Sequence, residues 1–432
     1  MNSVWVNSIK PVGFESLNKN IETDVLIIGG GIAGILCAYN LKKLGVDSVL
    51  VEAKNILSGI TKNTTAKITL QHGLIYQNII KKFGFKKAQL YLKAQNDAIS
   101  EYRELCQKID CDYEIKDSFV YSLNNPEKIK NEVTALNSLG QKAEFLSSVD
   151  LPFKVAGAVQ VKNQAQFNPL KFLYQIAKDM PIYENTKVIH LLPNKAITNH
   201  AEINYKKTIV ATHFPILNKH GGYFLKMYQH RSYVLALDCP HNINAMYVDE
   251  DEKGLSFRRY GDLLLLGGGG HRTGKKGGCW KELEDFASKY YKDARIVTKW
   301  ATQDCITLDG VPYIGPYSKQ TPNLFVVTGF NKWGMSSSMV GAKILCDLVQ
   351  GKENKYASVF LPSRSMYLPK LAINAIDSTV GLLTPTAPRC PHLGCALKYN
   401  AEEHSWDCPC HGSRFTEKGE LIDNPATDDK RF

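Results

Sequence analysis

The feature that most constrains the fold lies near the amino terminus, where a strand, a glycine-rich turn, a helix and a second strand follow one another. The segment at 24–53 reads DVLIIGGGIAGILCAYNLKKLGVDSVLVEA. Its first apolar run is typical of a buried parallel strand. Gly29, Gly31 and Gly34 follow at GxGxxG spacing, and apolar residues then recur on one side of a helix that ends near Gly45. This order predicts the βαβ unit of a Rossmann-type α/β domain.

The same unit predicts a nucleotide site at its turn. Glycines permit a tight turn and a close approach of the backbone, and the amino end of the helix favours a pyrophosphate. Glu52, at the end of the second strand, can accept hydrogen bonds from a ribose. A lone GxGxxG carries little information, whereas all of these parts in register are specific. The residues alone leave open whether the dinucleotide is NAD or FAD.

Length and charge limit the remaining possibilities. A chain of 432 residues is too long for one ordinary core, which predicts two or three domains. The formal net charge is +11, but the lysines are scattered, so we expect a solvated surface and no nucleic-acid partner, with an acidic protein partner left open. The start MNSVWVNSIK lacks the layout of a signal peptide, and no apolar run is long enough to cross a bilayer. We therefore expect a cytoplasmic protein without a membrane span.

Three further segments resemble the D-amino-acid-oxidase-like (DAO) family of FAD-dependent amine and amino-acid oxidoreductases. LSGITKNTTAKITLQHG at 57–73 is similar to the second cofactor-contacting stretch of that family, and KTIVATHFP is similar to its short strand ending near the flavin. DGVPYIGPYSKQTPNLFVVTGFNKWGMSSSMVGAKILCDLVQGK resembles the last FAD motif, in which a strand at 324–328 precedes a helix whose amino end would face the pyrimidine edge of the flavin.

This resemblance covers most of 1–365 and implies a glutathione-reductase-like, Rossmann-type FAD-binding domain with an α+β substrate domain. It implies FAD contacts from Gly29, Gly31, Gly34, Glu52, Ala53, Thr61, Thr64, Thr65, Val188, Ala211, Thr212, Gly329, Gly334 and Met335.

Side chains for substrate binding are expected from the middle of the chain and from the turn before the last motif's helix. No acid or base stands out as a catalytic residue, which hydride transfer to a flavin tolerates because the protein mainly positions the donor. The candidate pocket residues are Arg231, Tyr233, Arg258, Tyr260, His271, Lys332 and Trp333. Four glycines at 267–270 lack the context of a second phosphate loop, and we expect a flexible strand end there.

Four of the eleven cysteines lie in one segment near the carboxyl terminus, CPHLGCALKYNAEEHSWDCPCHGSRF at 390–415. Cys390 and His392 form a C-x-H pair, and Cys408 and His411 form a C-x-x-H pair. Two thiolates and two imidazoles suit a tetrahedral zinc ion. They also suit a Rieske [2Fe-2S] centre, in which two cysteines hold one iron and two histidines the other. Ligand types by themselves leave both metals open.

Both ligand loops resemble those of the Rieske family, with C-x-H-L-G-C in the first and C-P-C-H-G-S in the second. The resemblance implies a [2Fe-2S] cluster on the four residues of the two pairs. It also implies a disulfide between Cys395 and Cys410 that joins the loops over the cluster. Such a bond is unusual in the cytoplasm, but burial between two loops would shield it from thiol exchange.

Two departures from the Rieske pattern have consequences. Ser413 is placed to donate a hydrogen bond to the cluster, whereas Phe415 replaces a tyrosine of high-potential members. Because hydrogen bonds to the sulfurs stabilise the reduced cluster, we expect a potential in the lower or middle part of the range of about −150 to +300 mV. The segment is also short, so we expect a small all-β lobe that does not fold alone.

The expected division is therefore discontinuous. It comprises an FAD-binding domain at 1–87, 164–217 and 301–365, a substrate-binding domain at 88–163 and 218–300, a linker at 366–385, and a truncated Rieske domain at 386–432. The apolar linker is expected to contact the flavoprotein.

Together these parts resemble a bacterial group of FAD-dependent oxidoreductases fused to Rieske domains. The resemblance implies a dehydrogenase that oxidises a small amine or amino acid by hydride transfer to FAD. It would then pass electrons singly through the cluster to a protein carrier such as a ferredoxin or flavodoxin. The alternative is an electron-transfer protein that moves electrons between a carrier and a partner and has no amine substrate of its own. Electron flow in the reverse direction uses the same parts, and the oligomeric state is unknown.

Overall fold

The computed structural model describes residues 2–218, 220–241, 243–251, 254–364, 382, 384–385 and 388–430. Its helices are α1 (Ile32–Lys43), α2 (Tyr76–Phe83), α3 (Phe85–Cys106), α4 (Pro126–Ser138), α5 (Pro169–Ala177), α6 (Tyr223–Lys226), α7 (Cys279–Tyr290), α8 (Gly334–Val349) and α9 (Ala357–Phe360), with 3-10 turns at Val6–Ser8 and Ile60–Asn63. Its strands are β1 (Ile21–Ile28), β2 (Ser48–Val51), β3 (Lys67–Ile68), β4 (Glu114–Ser122), β5 (Glu144–Leu146), β6 (Gly157–Gln166), β7 (Ile182–Tyr183), β8 (Val188–Leu192), β9 (Lys195–Thr198), β10 (Glu202–Val210), β11 (Met227–Asp238), β12 (Met246–Asp249), β13 (Ser256–Tyr260), β14 (Leu263–Arg272), β15 (Arg295–Thr307), β16 (Tyr313–Pro316), β17 (Leu324–Thr328), β18 (Lys398–Asn400), β19 (Ser405–Asp407), β20 (Arg414–Thr416) and β21 (Leu421–Asp423).

The first sheet carries the predicted βαβ unit. Its strand order is β16-β17-β10-β1-β2-β7, and β1 runs parallel to both β2 and β10. Ile28, the last residue of β1, lies level with Val51 on one side and Val210 on the other. The carboxyl ends of these three strands therefore meet at one edge, where parallel α/β sheets place their ligands.

The main hydrophobic core lies between this sheet and its covering helices. Ile27 of β1, Leu36 of α1 and Leu345 of α8 are fully buried in it. The thiol of Cys346 on α8 lies 3.6 Å from the Cys37 carbonyl oxygen on α1, so the two helices that open towards the ligand edge pack against each other. The helical pattern predicted after the last FAD motif is confirmed as α8.

The second sheet follows the order β15-β11-β14-β13-β12-β4-β6-β3, with β5 paired to β6. Its strands come from two separate parts of the chain, which agrees with a discontinuous substrate domain; the expected boundaries stay a prediction. The glycines at 267–270 lie inside β14, which continues to Arg272, so they do not form a strand end. Gly267 and Gly268 pair with β11 and Gly267 also pairs with β13, whereas Gly269 and Gly270 fall at the register shift between β14 and β11. The expectation of a strand end was therefore wrong, since β14 continues for two residues beyond the last of these glycines.

The carboxyl-terminal lobe is a sheet of four strands in the order β18-β19-β20-β21, each three residues long. The linker predicted at 366–385 lies outside the described residues except at 382 and 384–385. Its contact with the rest of the chain therefore stays a prediction. Within the described ranges, no helix has the length and apolar character that a bilayer crossing requires. The cytoplasmic location stays a prediction as well.

Candidate active site and metal centre

The turn between β1 and α1 forms one end of the site. Gly29 has a φ of +113°, a conformation that favours glycine, and a Cβ there would lie 2.6 Å from the Ala211 carbonyl oxygen. A Cβ on Gly34 would lie 1.9 Å from the carbonyl oxygen of Gly29. The glycines thus bring the amino end of α1 against the ends of β1 and β10, which is the arrangement that a pyrophosphate requires.

Glu52 lies beside this turn, directly after β2. Its Oε2 accepts a hydrogen bond from the Gly30 N–H at 2.7 Å, and its Oε1 accepts one from the Lys54 N–H at 2.9 Å. These bonds orient the carboxylate, and each oxygen keeps a lone pair for a ribose hydroxyl. Thr61 closes the turn from the other side, because its hydroxyl oxygen accepts a hydrogen bond from the Ile32 N–H at 3.1 Å.

A cavity of about 1530 Å³ begins at this turn and reaches the second sheet. Ordinary small-ligand pockets measure ~300–1,000 Å³, so this one has room for a dinucleotide and a small substrate together. Its lining includes most of the implied cofactor contacts, namely Gly29, Gly31, Glu52, Ala53, Thr61, Thr64, Thr65, Val188, Ala211, Thr212, Gly334 and Met335.

Gly34 and Gly329 are not part of that lining. Gly34 packs against Gly29, and a Cβ on Gly329 would lie 2.4 Å from Cγ2 of Thr307. Both glycines therefore let backbone and side chains of neighbouring elements approach closely, and they act on the cavity through its shape.

One wall of the cavity is a row of polar side chains across three strands of the second sheet. His230 on β11 lies level with Asp304 on β15 and with Arg272 on β14, and all three line the cavity. Lys332, from the turn before α8, also lines it. Burial raises the pKa of Asp304 to about 6, although the positive charges of Lys332 and Arg231 oppose this shift. An amine cation would find a carboxylate here.

Asp304 and His230 are not among the site residues predicted from the sequence. The available signal was the alternation of polar residues in QHRSYV and TQDCIT, which predicts two-faced strands. It does not reveal the register that sets the two side chains level, nor which face of the sheet meets the cavity.

The candidate substrate residues divide into two groups. Tyr233, His271, Lys332 and Trp333 line the cavity. The Tyr233 hydroxyl lies 3.0 Å from Nε2 of His271. Arg231, Arg258 and Tyr260 are not among the lining residues.

Each of these last three side chains is engaged elsewhere. Arg258 is fully buried and donates to the carbonyl oxygens of Thr65 at 2.8 Å and Ala66 at 3.0 Å. The Tyr260 hydroxyl donates to Asp112 at 2.8 Å. Arg231 donates through Nε to the Glu403 carboxylate of the carboxyl-terminal lobe at 3.0 Å. Arg231, Arg258 and Tyr260 are therefore not among the substrate contacts that we propose.

His72 is a further cavity residue that the sequence analysis did not single out. Its ring stacks on Trp333 with centroids 5.2 Å apart, and its Nδ1 lies 2.6 Å from the Tyr91 hydroxyl. Its Nε2 lies 3.0 Å from the Ser336 hydroxyl on α8. Burial lowers the pKa of His72 to about 3, so the ring is neutral at physiological pH. It joins the segment at 57–73 to the amino end of α8.

The four predicted metal ligands come together in the lobe. Cys390 and Cys408 are buried thiols whose sulfurs are in hydrogen-bond contact. The rings of His392 and His411 lie 5.0 Å apart. Among the described residues, no hydrogen-bond partner faces Nδ1 of His392 or either ring nitrogen of His411. Two thiols and two imidazoles with open nitrogens fit the donor set of a Rieske cluster.

The predicted disulfide between Cys395 and Cys410 is confirmed. Cys395, Cys408 and Cys410 lie close enough together to share an ion, but the disulfide occupies two of those sulfurs. The Ser413 hydroxyl hydrogen-bonds to the Cys390 sulfur, where the sequence analysis placed it, and it accepts from the Ala426 N–H at 2.9 Å. Phe415 is fully buried in the same small core as the four cysteines.

The lobe packs directly on the second sheet. The Gln303 side-chain amide donates to the Gly412 carbonyl at 2.9 Å, and the Gln229 amide donates to the His411 carbonyl at 3.0 Å. A Cβ on Gly412 would lie 2.5 Å from the Gln229 Cβ, and one on Gly274 would lie 2.7 Å from backbone atoms of Pro409. This contact is too close for any side chain at either glycine.

Arg272 joins the cavity to the metal site. Its guanidinium lies 4.9 Å above the Tyr228 ring, and both residues line the cavity. The same guanidinium donates to the Cys410 carbonyl oxygen at 3.2 Å. Cys410 lies between Cys408 and His411 in the second ligand loop. A single side chain therefore spans from the cavity to the loop that would hold the cluster.

Comparisons with known proteins agree with both halves of this arrangement. Residues 24–348 match the family model DAO, FAD dependent oxidoreductase, and residues 370–431 match the Rieske [2Fe-2S] domain. The chain is 34% identical to the Rieske 2Fe-2S iron-sulfur protein YhfW of Bacillus subtilis (strain 168), over 98% of this chain and 95% of that relative. It is 24% identical to gamma-glutamylputrescine oxidoreductase of Escherichia coli (strain K12), over 79% and 87% of the two chains.

Two solved structures share the fold. Glycine oxidase from Geobacillus kaustophilus has a TM-score of 0.68 and 18% identity, covering 80% of this chain and 100% of that chain. L-proline dehydrogenase from P. horikoshii has a TM-score of 0.68 and 16% identity, covering 81% and 98%.

The Rieske match decides the question of the metal in favour of a [2Fe-2S] cluster over zinc. The glycine turn, the cavity and the length of the first match together decide for FAD over NAD. The chain therefore belongs to the DAO family of FAD-dependent oxidoreductases and is an enzyme of that family with a carboxyl-terminal Rieske [2Fe-2S] domain.

Proposed function

We propose that the protein oxidises a small amine or amino acid at FAD and sends the electrons one at a time through the Rieske cluster to a protein acceptor such as a ferredoxin or flavodoxin. The observation that carries this proposal is Arg272, which lines the FAD cavity and donates a hydrogen bond to Cys410 in the second ligand loop. When bound, FAD accepts electrons from the substrate in pairs and a [2Fe-2S] centre accepts them singly. A cluster docked beside the flavin site is therefore an exit for electrons.

The residues proposed for FAD binding are those that line the cavity around the β1–α1 turn and the start of α8. The backbone N–H groups at the turn hold the pyrophosphate, and the Glu52 carboxylate holds a ribose. Gly334 and Met335 open α8 towards the cavity, so the amino end of that helix favours negative charge on the ligand.

The residues proposed for substrate binding belong to the polar wall. Asp304 binds the amine through its carboxylate, because a negative group in a buried site attracts an ammonium ion strongly. Lys332 lies close enough to Asp304 to interact with it and offers a positive charge to a substrate carboxylate. Tyr233, His271 and Trp333 complete the lining on this side.

The residues proposed for the cluster are Cys390 and Cys408 on one iron and His392 and His411 on the other. Burial of both thiols excludes water from the sulfurs. The Ser413 hydroxyl and the N–H groups of His392 and Leu393 hydrogen-bond to the Cys390 sulfur. These donors stabilise negative charge on the sulfur and favour electron acceptance.

The test is anaerobic mixing of the holoprotein with a panel of amines and amino acids, followed by optical and EPR spectroscopy. We expect a subset of the panel to bleach the FAD absorption and then to produce the EPR signal of a reduced Rieske cluster. Oxygen should reoxidise the protein more slowly than a ferredoxin or flavodoxin does. FAD that no member of the panel reduces, but that a reduced carrier does reduce, would contradict the amine substrate and favour an electron-transfer protein.

The Arg272→Met variant tests whether Arg272 connects the cavity to the cluster. Loss of the guanidinium should slow cluster reduction relative to flavin reduction in the same rapid-mixing trace. The control is Arg259→Met, since Arg259 donates to the His241 carbonyl and is not part of the cavity lining. Equal slowing in both variants, or in neither, would argue against Arg272 as the connection.

A further inference from the structure

The end of the Rieske lobe contributes directly to the FAD cavity. The segment 421–429, which we call the tail, contains β21 and the residues that follow it. It lines the cavity at 421–424, 426–427 and 429. The cavity wall therefore includes residues from beyond the DAO match, which ends at residue 348.

Two lysines show which end of the cavity the tail covers. The Lys54 ammonium donates to the Leu421 carbonyl oxygen at 2.9 Å, and Lys187 pairs with Asp428 at 3.2 Å. Lys54 follows Glu52 after β2, and Lys187 precedes Val188 at the start of β8. The end of the second strand of a Rossmann unit is where the ribose lies, with the base beyond it. Leu421 and Asp428 of the tail therefore lie at the adenosine end of the cavity, whereas Asp423 and Asn424 reach β11 beside His230 of the polar wall.

Asn424 holds the tail in place. Its side-chain amide donates to the carbonyl oxygens of Thr212 at 2.5 Å and Phe214 at 2.8 Å, and its own carbonyl accepts from the Gln229 amide at 2.6 Å. These bonds are partly or fully shielded from solvent, whereas the two lysine contacts are exposed and contribute little by themselves. The bonds of Asn424 to the flavoprotein part, formed when the lobe is docked, therefore fix the position of the tail.

Ile422 supplies the apolar surface. It is 40% exposed and lines the cavity, so its side chain is accessible to a ligand bound there. The flat face of an adenine ring would bury this surface and gain the corresponding hydrophobic free energy. We infer that the tail of the Rieske lobe is part of the FAD site, with Ile422 packing on the adenosine half of the cofactor.

This inference rests on FAD binding and on the docked lobe, and it is independent of the direction or route of electrons. It has a thermodynamic consequence. Because the tail contacts FAD only when the lobe is docked, FAD binding and lobe docking stabilise each other by the same free energy.

The test measures affinity in the full-length chain, with FAD removed and the cluster retained as judged by visible circular dichroism. FAD and ADP are each titrated into the wild type, Ile422→Ser and a control, Ile296→Ser, whose isoleucine is 43% exposed and is not part of the cavity lining. We expect Ile422→Ser to raise the dissociation constants of both FAD and ADP roughly three- to tenfold, as expected for losing part of a buried aliphatic side chain. The control should leave both constants unchanged.

Unchanged FAD affinity in Ile422→Ser with an intact cluster would overturn the inference. Weaker FAD binding with unchanged ADP binding would overturn it too, because the tail would then act away from the adenosine. If Ile422→Ser weakens the binding of both FAD and ADP while no amine reduces the cluster, the inference stands and the proposed electron route fails. Ile422→Val, which keeps an apolar surface, should return both constants to within about twofold of the wild type.

Discussion

The flavoprotein part and the Rieske lobe reach a folded state by different means. The flavoprotein has a large continuous core in which the residues of β1, α1 and α8 are buried against one another. Among the described residues of the lobe, the apolar core contains seven buried side chains, and four of them are cysteines. A core of this size cannot offset the loss of chain entropy, so small domains depend on cross-links, metals or a partner surface.

The lobe also uses charge where the flavoprotein uses apolar contact. Arg414 is buried and pairs with Asp407 at 3.0 Å, with Glu403 at 2.9 Å and with Asp423 at 3.1 Å. Arg231 of the second sheet joins the same cluster through Glu403. The flavoprotein part is therefore held mainly by its large apolar core, although it has a buried ion pair between Arg364 and Asp309, whereas the small lobe depends on a few specific bonds. Removing a single bond should matter far more in the lobe.

The largest expected difference between the two parts is in their ability to fold alone. A fragment of 386–432 should fail to fold, because it leaves Arg231, Gln229 and Gln303 behind and exposes the surfaces they cover. Circular dichroism and visible absorption after reconstitution with iron and sulfide measure this. A soluble, red fragment with a cooperative melting transition would contradict it.

Cys408→Ser should abolish the cluster and unfold the lobe while the flavoprotein part keeps its own melting transition. The reason is that one thiolate ligand is lost from a core that has little else. Iron content, proteolysis of the region after residue 388 and calorimetry check this. The matched control is Cys346→Ser, a buried free cysteine on α8 that should leave the iron content unchanged.

Arg231→Met should release the lobe from the second sheet. Without Arg231, the buried Glu403 carboxylate keeps only Arg414 to balance its negative charge. We therefore expect the free energy of docking to become less favourable by about 3 kcal/mol. Hydrogen exchange should increase in the lobe and in the tail, whereas Arg259→Met should show no change. Exchange confined to the strands around residue 231 would contradict a docking role.

The same contact predicts a pH dependence. Burial alone would raise the pKa of Glu403, but the charges of Arg231 and Arg414, with hydrogen bonds from Arg231 and Tyr233, lower it below its ordinary value of 4.5. A carboxyl group with a lowered pKa stabilises the docked state above that ordinary value, and the contribution is lost as the pH falls through the lowered pKa. Docking, followed by hydrogen exchange, should therefore weaken only below about pH 4.5.

Asp304→Asn tests the site in the flavoprotein part. If Asp304 binds the amine, the substitution should raise KM roughly ten- to hundredfold, as expected for one charge-assisted contact. His230, Lys332 and Arg272 face the same space, and the pKa of about 6 at Asp304 predicts that KM in the wild type rises below about pH 6. Asp304→Asn should lose that rise. An unchanged pH profile would remove Asp304 from substrate binding, and Asp262→Asn serves as the surface control.

The smallest effect concerns the cluster potential. Phe415→Tyr should raise the midpoint potential by roughly 40 mV, equivalent to one hydrogen bond of about 1 kcal/mol to the cluster environment. Ser413→Ala should lower it by a similar amount, because it removes the donor to the Cys390 sulfur. Redox titration followed by EPR measures both. Opposite signs for the two variants are the expected result, and equal signs would contradict the hydrogen-bond explanation.

Much of this protein could be predicted from local patterns. The strand, glycine turn and helix at β1–α1, the last helix α8 and the disulfide between Cys395 and Cys410 all appear in the structure as predicted. The turn and the helices depend on residues close together in the chain, and the disulfide followed from the resemblance of the two ligand loops to the Rieske family. Both cofactors followed from the resemblance of these motifs to the DAO and Rieske families, because the residues alone left NAD or FAD, and zinc or a [2Fe-2S] cluster, open.

The pocket residues were predicted less well, and Arg231 shows why. An arginine on a strand with alternating polarity can face a ligand, solvent or another domain, and the strand pattern is the same in each case. Its partner Glu403 lies in a different domain, and the sequence around either residue does not predict that the two form a pair. Asp304 and His230 were not predicted because only the register between β11 and β15 places them opposite each other.

By itself, then, the sequence determined the βαβ unit with its nucleotide turn and the two pairs of metal ligands, because helix and strand periodicity and ligand spacing act over a few residues. FAD, the [2Fe-2S] cluster and the two-part architecture followed from the resemblance to the DAO and Rieske families. Only the tertiary structure decided which face of the second sheet lines the cavity, that Arg272 reaches the ligand loop, and that residues of the tail line the same cavity. Those outcomes depend on contacts between residues far apart in the chain, and such contacts are selected by packing and charge pairing in three dimensions.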